Sequence, residues 1–176
     1  MPKIPFDSLP DSSRLWMFPA DRPLSPEEQD ALMRSAEEGL DDWGAHGSPV
    51  TWGCRIEREQ VLIIGVDETR TALTGCSIDG AIRHIRDLES RFKTSLLDHG
   101  RVFFRDGDRM RSVTRPAFKK LVAEGAIRNE TLVYNNVIAT LGELRRGAWE
   151  VPYRSSWHSE AFSAKTQNRG DTLPLR

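Results

Sequence analysis

The chain has 176 residues, 38% of them apolar, which suits one domain of about 150 residues or two small units sharing a core. A chain of this length buries about 70% of its unfolded surface, so folding requires neither disulfides nor a structural metal. With 25 basic residues against 26 acidic ones, the net charge of −1 supplies no general field for nucleic acid or anionic lipid.

Residues 1–13 hold three prolines among Ser and Asp, and residues 163–176 carry almost nothing to bury, so both ends are expected to be flexible. Met1 to Asp7 lacks the apolar run of a secretory leader. The longest apolar run, Val61 to Val66, is far shorter than the roughly 20 residues of a membrane helix. A cytoplasmic protein without membrane contact is the expectation, and two cysteines, Cys54 and Cys76, read there as free thiols.

A short strand is expected over Arg14 to Phe18, stopped by Pro19. Ser25-Pro26-Glu27-Glu28 then opens a helix: Ser25 caps, Pro26 takes the first position and Glu28 closes a capping box. Leu32, Ala36, Leu40 and Trp43 form its apolar face, which predicts an end near Trp43 before Gly44 and Gly47. Val50 to Glu57 alternates apolar and polar, whereas Gln60 to Val66 is apolar throughout, as in a central strand covered on both faces. The short Arg58-Glu59 link makes the two a hairpin. Ile78, Ala81, Ile82, Ile85, Leu88 and Phe92 recur at helical spacing, predicting a helix over 78–92, and Arg101 to Arg105 reads as a strand.

This order, strand-helix-strand-strand-helix-strand, is that of a ferredoxin-like split βαβ sandwich, an antiparallel sheet with two helices on one face. The α+β reading therefore places a ferredoxin-like unit at 14–106. A small α/β C-terminal lobe follows at 107–162: a strand at 110–113, a helix opened by Pro116 and ended by Gly125, a strand at 131–135 and a short helix near 141–145.

Thr74-Gly75-Cys76-Ser77 brings Cys76 just ahead of the second helix, where unpaired N–H groups and the positive end of the helix dipole stabilise a thiolate. Such a nucleophile needs a base, for which His46 is the candidate among His46, His84, His99 and His158, and Asp67 could orient it. The competing packing interpretation makes Ser77 the helix cap and Cys76 a small hydrophobe under the loop. Gly75 and Gly80 have the separation of a phosphate loop, but Ala81 and Ile82 stand where Lys and Ser or Thr are needed. No cofactor motif is present. Neither His158 and Glu160 nor Asp67 and Glu68 have metal-site spacing, so no metal is expected. Nucleic acid is disfavoured too, because Val61 to Val66 offers no aromatic platform for bases.

Over residues 102–152, Phe118, Leu121, Gly125, Ile127, Thr131, Leu132, Val133 and Tyr134, with Trp149 and Pro152, resemble the bacterial form of the peptide-binding GYF-type domains. That resemblance implies flat surfaces for a proline-rich or extended segment at Phe103, Phe104, Tyr134 and Trp149; alternatively these rings are the lobe's own core. Through Trp43 to Gly47, Gly75 to Asp79, Tyr134 to Asn136 and Trp149 to His158, the whole chain is similar to a bacterial family often labelled ABC transporter ATPase. The chain lacks a complete Walker loop, so this implies kinship and not ATPase activity. The sequence thus points to a module that binds or scaffolds a protein or peptide through Phe103, Phe104, Tyr134, Trp149 and Trp157. The alternative is a thiol-dependent enzyme of acyl or redox transfer using Cys76, His46 and Asp67.

Overall fold

The computed structural model describes residues 3–40, 44–45 and 48–162. Its first strand is β1 (Arg14–Pro19), and the helix α1 (Pro26–Leu40) begins at the expected capping box. Glu28 N–H donates to Ser25 Oγ at 3.2 Å, and the Glu28 carboxylate accepts from Ser25 N–H at 2.9 Å. Arg22 also grips that carboxylate through two hydrogen bonds of 2.8 and 2.7 Å, and these bonds hold its pKa down at about 2. Leu32, Ala36 and Leu40 are buried as the spacing predicts, whereas Trp43, the expected helix end, lies outside the described residues.

A two-residue pair, β2 (Gly44–Ala45) and β3 (Ser48–Pro49), precedes the hairpin of β4 (Thr51–Glu57) and β5 (Val61–Asp67). Arg58 and Glu59 both take left-handed φ, 52° and 56°, the backbone that a tight hairpin requires, although neither is Gly or Asn. Helix α2 (Gly75–Phe92) starts three residues earlier than expected. Thr74 is its cap, its side chain accepting from Ser77 N–H, and Ser77 is the reciprocal partner in a capping box rather than the cap itself.

The remaining elements are β6 (Arg101–Asp106), β7 (Arg109–Thr114), α3 (Arg115–Ala123), β8 (Leu132–Tyr134), α4 (Leu141–Arg145), β9 (Glu150–Pro152) and α5 (Trp157–Phe162). Besides the β2–β3 pair, the strands form two antiparallel sheets, β1-β5-β4 and β7-β6-β8-β9. The fold is α+β. The first sheet has the split βαβ order, but its expected fourth strand at 101–105 is corrected: β6 pairs with β7 over six residues and with β8 at Phe104, and so belongs to the second sheet.

Strand parity sorts the side chains into layers. On one face of the first sheet Phe18, Leu62, Ile64, Val66, Trp52 and Cys54 pack against Leu32, Ala36 and Leu40 of α1 and Ala81, Ile85 and Leu88 of α2. On its other face Leu15, Met17, Val61 and Ile63 meet Phe103, Met110, Tyr134 and Trp149 of the second sheet's strands and adjoining chain. The far side of the second sheet, Val102, Phe104 and Val133, is covered by Phe118 of α3, Tyr153 and Phe162 of α5. The order is helices, sheet, sheet, helices. Residues Val61 to Ile64 are wholly buried, each worth about 1.5–3 kcal/mol of transfer free energy.

The expectation of a flexible 1–13 is corrected within residues 3–13. Phe6, Leu9 and Ser13 are buried, and Ile4 N–H donates to Trp52 C=O at 2.9 Å. The cause is a slot in the sheet: Gly53 and Gly65 face each other across β4 and β5. A Cβ at Gly53 would stand 2.7 Å from the Ile4 carbonyl oxygen, and one at Gly65 would stand 2.6 Å from Leu9 Cδ1. The arm lies where side chains would otherwise be. A polar clip also joins the layers, since Glu150 of β9 accepts from Arg58 in the hairpin turn, from Arg105 at 3.2 Å and from Tyr134 Oη at 3.3 Å. Burial first, and Glu150 second, push the Tyr134 hydroxyl up to about 12.

Replacing a strand glycine by alanine ordinarily stabilises by about 0.5–1 kcal/mol. Here Gly53→Ala is expected to destabilise by about 1–3 kcal/mol in chemical denaturation, because the added methyl displaces the arm. Deleting residues 1–9 should then cost less in the variant than in the parent.

Candidate functional site

The position of β6 in the second sheet leaves β1 at the margin of the first. Ala20 N–H donates to Gln60 C=O at 2.8 Å and Leu15 N–H donates outward to Ala139 C=O at 2.8 Å, so even-numbered residues of β1 point their backbone at β5 and odd-numbered ones point away. Leu141 N–H completes a two-bond bridge by donating to Ser13 C=O at 2.9 Å. The pairing stops there, because Ala139 N–H donates to the Glu143 carboxylate at 3.0 Å instead. Among the described residues the Met17 N–H and C=O have no hydrogen-bond partner. The next outward residue, Pro19, has no N–H to offer.

This free edge is the floor of a groove of about 380 Å³. Trp16, Phe18 and Leu97 line it with Ile78 and Ile82 of α2, and Val137 and Ile138 close the other side. Val137 is 71% exposed, the most exposed large hydrophobic side chain described. It is held at the tip of a turn by Ile138 N–H donating to Asn135 C=O at 3.3 Å and Trp149 Nε1–H donating to Asn136 Oδ1 at 2.8 Å.

A second cavity of about 220 Å³ shares Met17, His99, Asn136 and Val137 with the groove and extends past Pro19 to Arg101, Arg115, Trp157 and His158. Arg115 lies over the rings of Trp157 and Phe162, at 5.8 and 5.5 Å. His158 is 2% exposed, stacks on Trp157 at 3.9 Å and leaves Nδ1 without a partner. Burial, aided by Arg115, lowers its pKa to about 4, so the ring is neutral at pH 7. Arg14, Arg101 and Arg115 line the two cavities against one carboxylate, Asp98. A larger cleft of about 690 Å³ between the Arg58-Glu59 turn and the β6–β7 turn is lined chiefly by polar side chains, and its Arg58 is engaged by Glu150.

Of the residues expected from sequence, Phe103, Tyr134 and Trp157 line the second cavity, and the other described ones line neither. Phe103, Phe104, Tyr134 and Trp149 are 2%, 5%, 2% and 6% exposed, so the expectation of flat outer surfaces there is corrected: parity turns Phe103 and Tyr134 into the layer between the sheets, where both reach the wall of the second cavity, and Phe104 into the outer core. Trp157 alone of the five is exposed, at 37%. Cys76 is exposed within the first turn of α2 rather than in a loop ahead of it, and it lines none of the three cavities described above. Asp67, at the end of β5, accepts from Thr69 N–H at 3.0 Å. His46 lies outside the described residues. Met17 and Val137 were not singled out as site residues from sequence; the available signals were Pro19 closing a short aromatic strand and a valine beside Asn135-Asn136. No helix among the described residues is long and apolar enough to cross a membrane. Comparison with family models, curated proteins and solved structures returns no match.

The two thiols differ in access. Burial pushes the Cys54 thiol up to about 12, whereas Cys76 is open to solvent. Iodoacetamide at pH 8 should modify Cys76 in the folded protein and Cys54 only after denaturation, read by peptide mass mapping; equal labelling of both would contradict this packing.

Proposed function

We propose that the chain is a peptide-binding module that takes an extended segment of a partner protein as an added strand beside β1. The observation that carries this reading is the unpaired Met17 backbone above an apolar groove. Exposed strand edges are ordinarily shielded by charge, proline or a covering loop. Here Pro19 and the 138–141 segment shield the two ends of the edge and leave its centre open.

The incoming strand would take the position that a ferredoxin-like sheet gives to its fourth strand, which makes the first layer a split βαβ unit completed by its ligand. In this account the GYF-like C-terminal lobe acts as support, with its aromatic rings used in packing. Arg101 and Arg115, set against Asp98 alone in the lining, favour a segment that is apolar with carboxylate character, while Arg14 is paired with Glu68 at 3.9 Å. Free Cys54 and Cys76 suit a partner met in the reducing cytoplasm.

Peptides selected from a displayed random library on the full chain should bind the Val137→Glu variant at least about tenfold more weakly, with the melting temperature unchanged, because Val137 is exposed and the new carboxylate repels an acidic segment. Equal binding to parent and variant would remove the groove from the account.

A further inference from the structure

The groove continues beyond the point where β1 can pair. A chain lying on the outer edge of β1 finds a donor and an acceptor at Met17, but at Pro19 only an acceptor. Its own carbonyl at that point has no main-chain N–H to meet. Beyond Pro19 the volume falls from about 380 to about 220 Å³, and the lining changes from aliphatic side chains to Arg101, Arg115 and His158.

Neither guanidinium has a carboxylate within 4.0 Å among the described residues. Arg115 is aimed by the rings beneath it, and Arg101 uses Nε on Ser112 Oγ at 2.5 Å, which leaves its terminal nitrogens available. His158 is buried in the cavity wall, and its Nδ1, itself closed to solvent, bonds to nothing described. Asp98 is the opposing charge, and it accepts from Gly100 N–H at 2.8 Å at an exposed position. The lining of the small cavity sets two guanidiniums against one carboxylate, and Asp21, outside the lining, acts on Arg101 as a second.

The geometry points to a subsite for a C-terminal carboxylate in the cavity beyond Pro19, so that the added strand is the free C-terminus of a partner protein running parallel to β1, in the place of a ferredoxin-like fourth strand but in the opposite direction. This rests on the strand-addition reading above. A terminating chain presents two carboxylate oxygens where an internal chain presents an unpaired carbonyl, and guanidinium groups match that anion in shape and charge. The direction follows from position: β1 runs from Arg14 to Pro19, and the carboxylate lies at the Pro19 end. In parallel pairing the Met17 N–H and C=O meet two residues of the guest that are two apart, which one outward-facing residue can do.

The test uses two libraries of random heptapeptides selected on the full chain, one ending in a free carboxylate and one embedded between fixed Gly-Ser flanks. Enrichment is expected only in the first. The best sequence, synthesised with an acid or an amide terminus, should bind at least about tenfold more tightly as the acid, and Arg115→Gln should lower the affinity of the acid to that of the amide while leaving the amide unchanged. If embedded peptides enrich and bind the groove with Val137→Glu sensitivity, or if acid and amide bind alike, the carboxylate subsite is overturned and strand addition stands. If neither library enriches, both readings fall.

Discussion

Strand β5 has no polar face. From Val61 to Ile64 every side chain is fully buried, and a strand of that kind must be covered from both sides. Helices α1 and α2 cover one side, as in a simple split βαβ unit. The other side needs a second apolar layer, which the second sheet and the N-terminal arm provide together. The arm reaches that layer only because Gly53 and Gly65 are directly opposed and leave a slot the depth of a side chain.

The open edge of β1 follows from the same requirement. Residues 101–106 could have extended the first sheet beside β1, but they contribute Phe103 to the layer over β5 and Phe104 to the core beneath α3. A strand buried on both faces in the second sheet cannot also pair in the first. What remains beside β1 is a short bridge at Arg14 and Thr140, a proline at the far end and an unpaired residue between them. In the proposed strand addition, hydrogen bonds to these backbone groups would not depend on the guest's side chains, whereas the walls and the arginines would select.

Local periodicity made much of this architecture legible. The capping box at Ser25, the apolar face of α1 and the unbroken run of β5 each follow from a few neighbouring residues, and the structure contains all of them, whereas the alternation expected of β4 gives way where the arm buries Gly53. The partner of residues 101–106 was not legible, since strand pattern does not say which sheet a strand joins. The buried aromatics misled for a related reason: Phe103 and Phe104 alternate like a half-exposed pair, and only a second layer on each side buries both. Residues 3–13 looked polar and proline-rich, and the seat of Ile4, Phe6 and Leu9 comes from two glycines more than forty positions away. The groove was hidden because its central feature is a backbone vacancy at Met17, which no side-chain pattern records.

Amide hydrogen exchange along β1, followed by NMR in the unliganded protein, tests the central claim most directly. The account predicts that Trp16 and Phe18 amides, bonded to β5, exchange only through global unfolding, while the Met17 amide between them exchanges orders of magnitude faster. A Met17 amide as protected as its neighbours would mean that the edge is already paired, and the open-groove account would be contradicted.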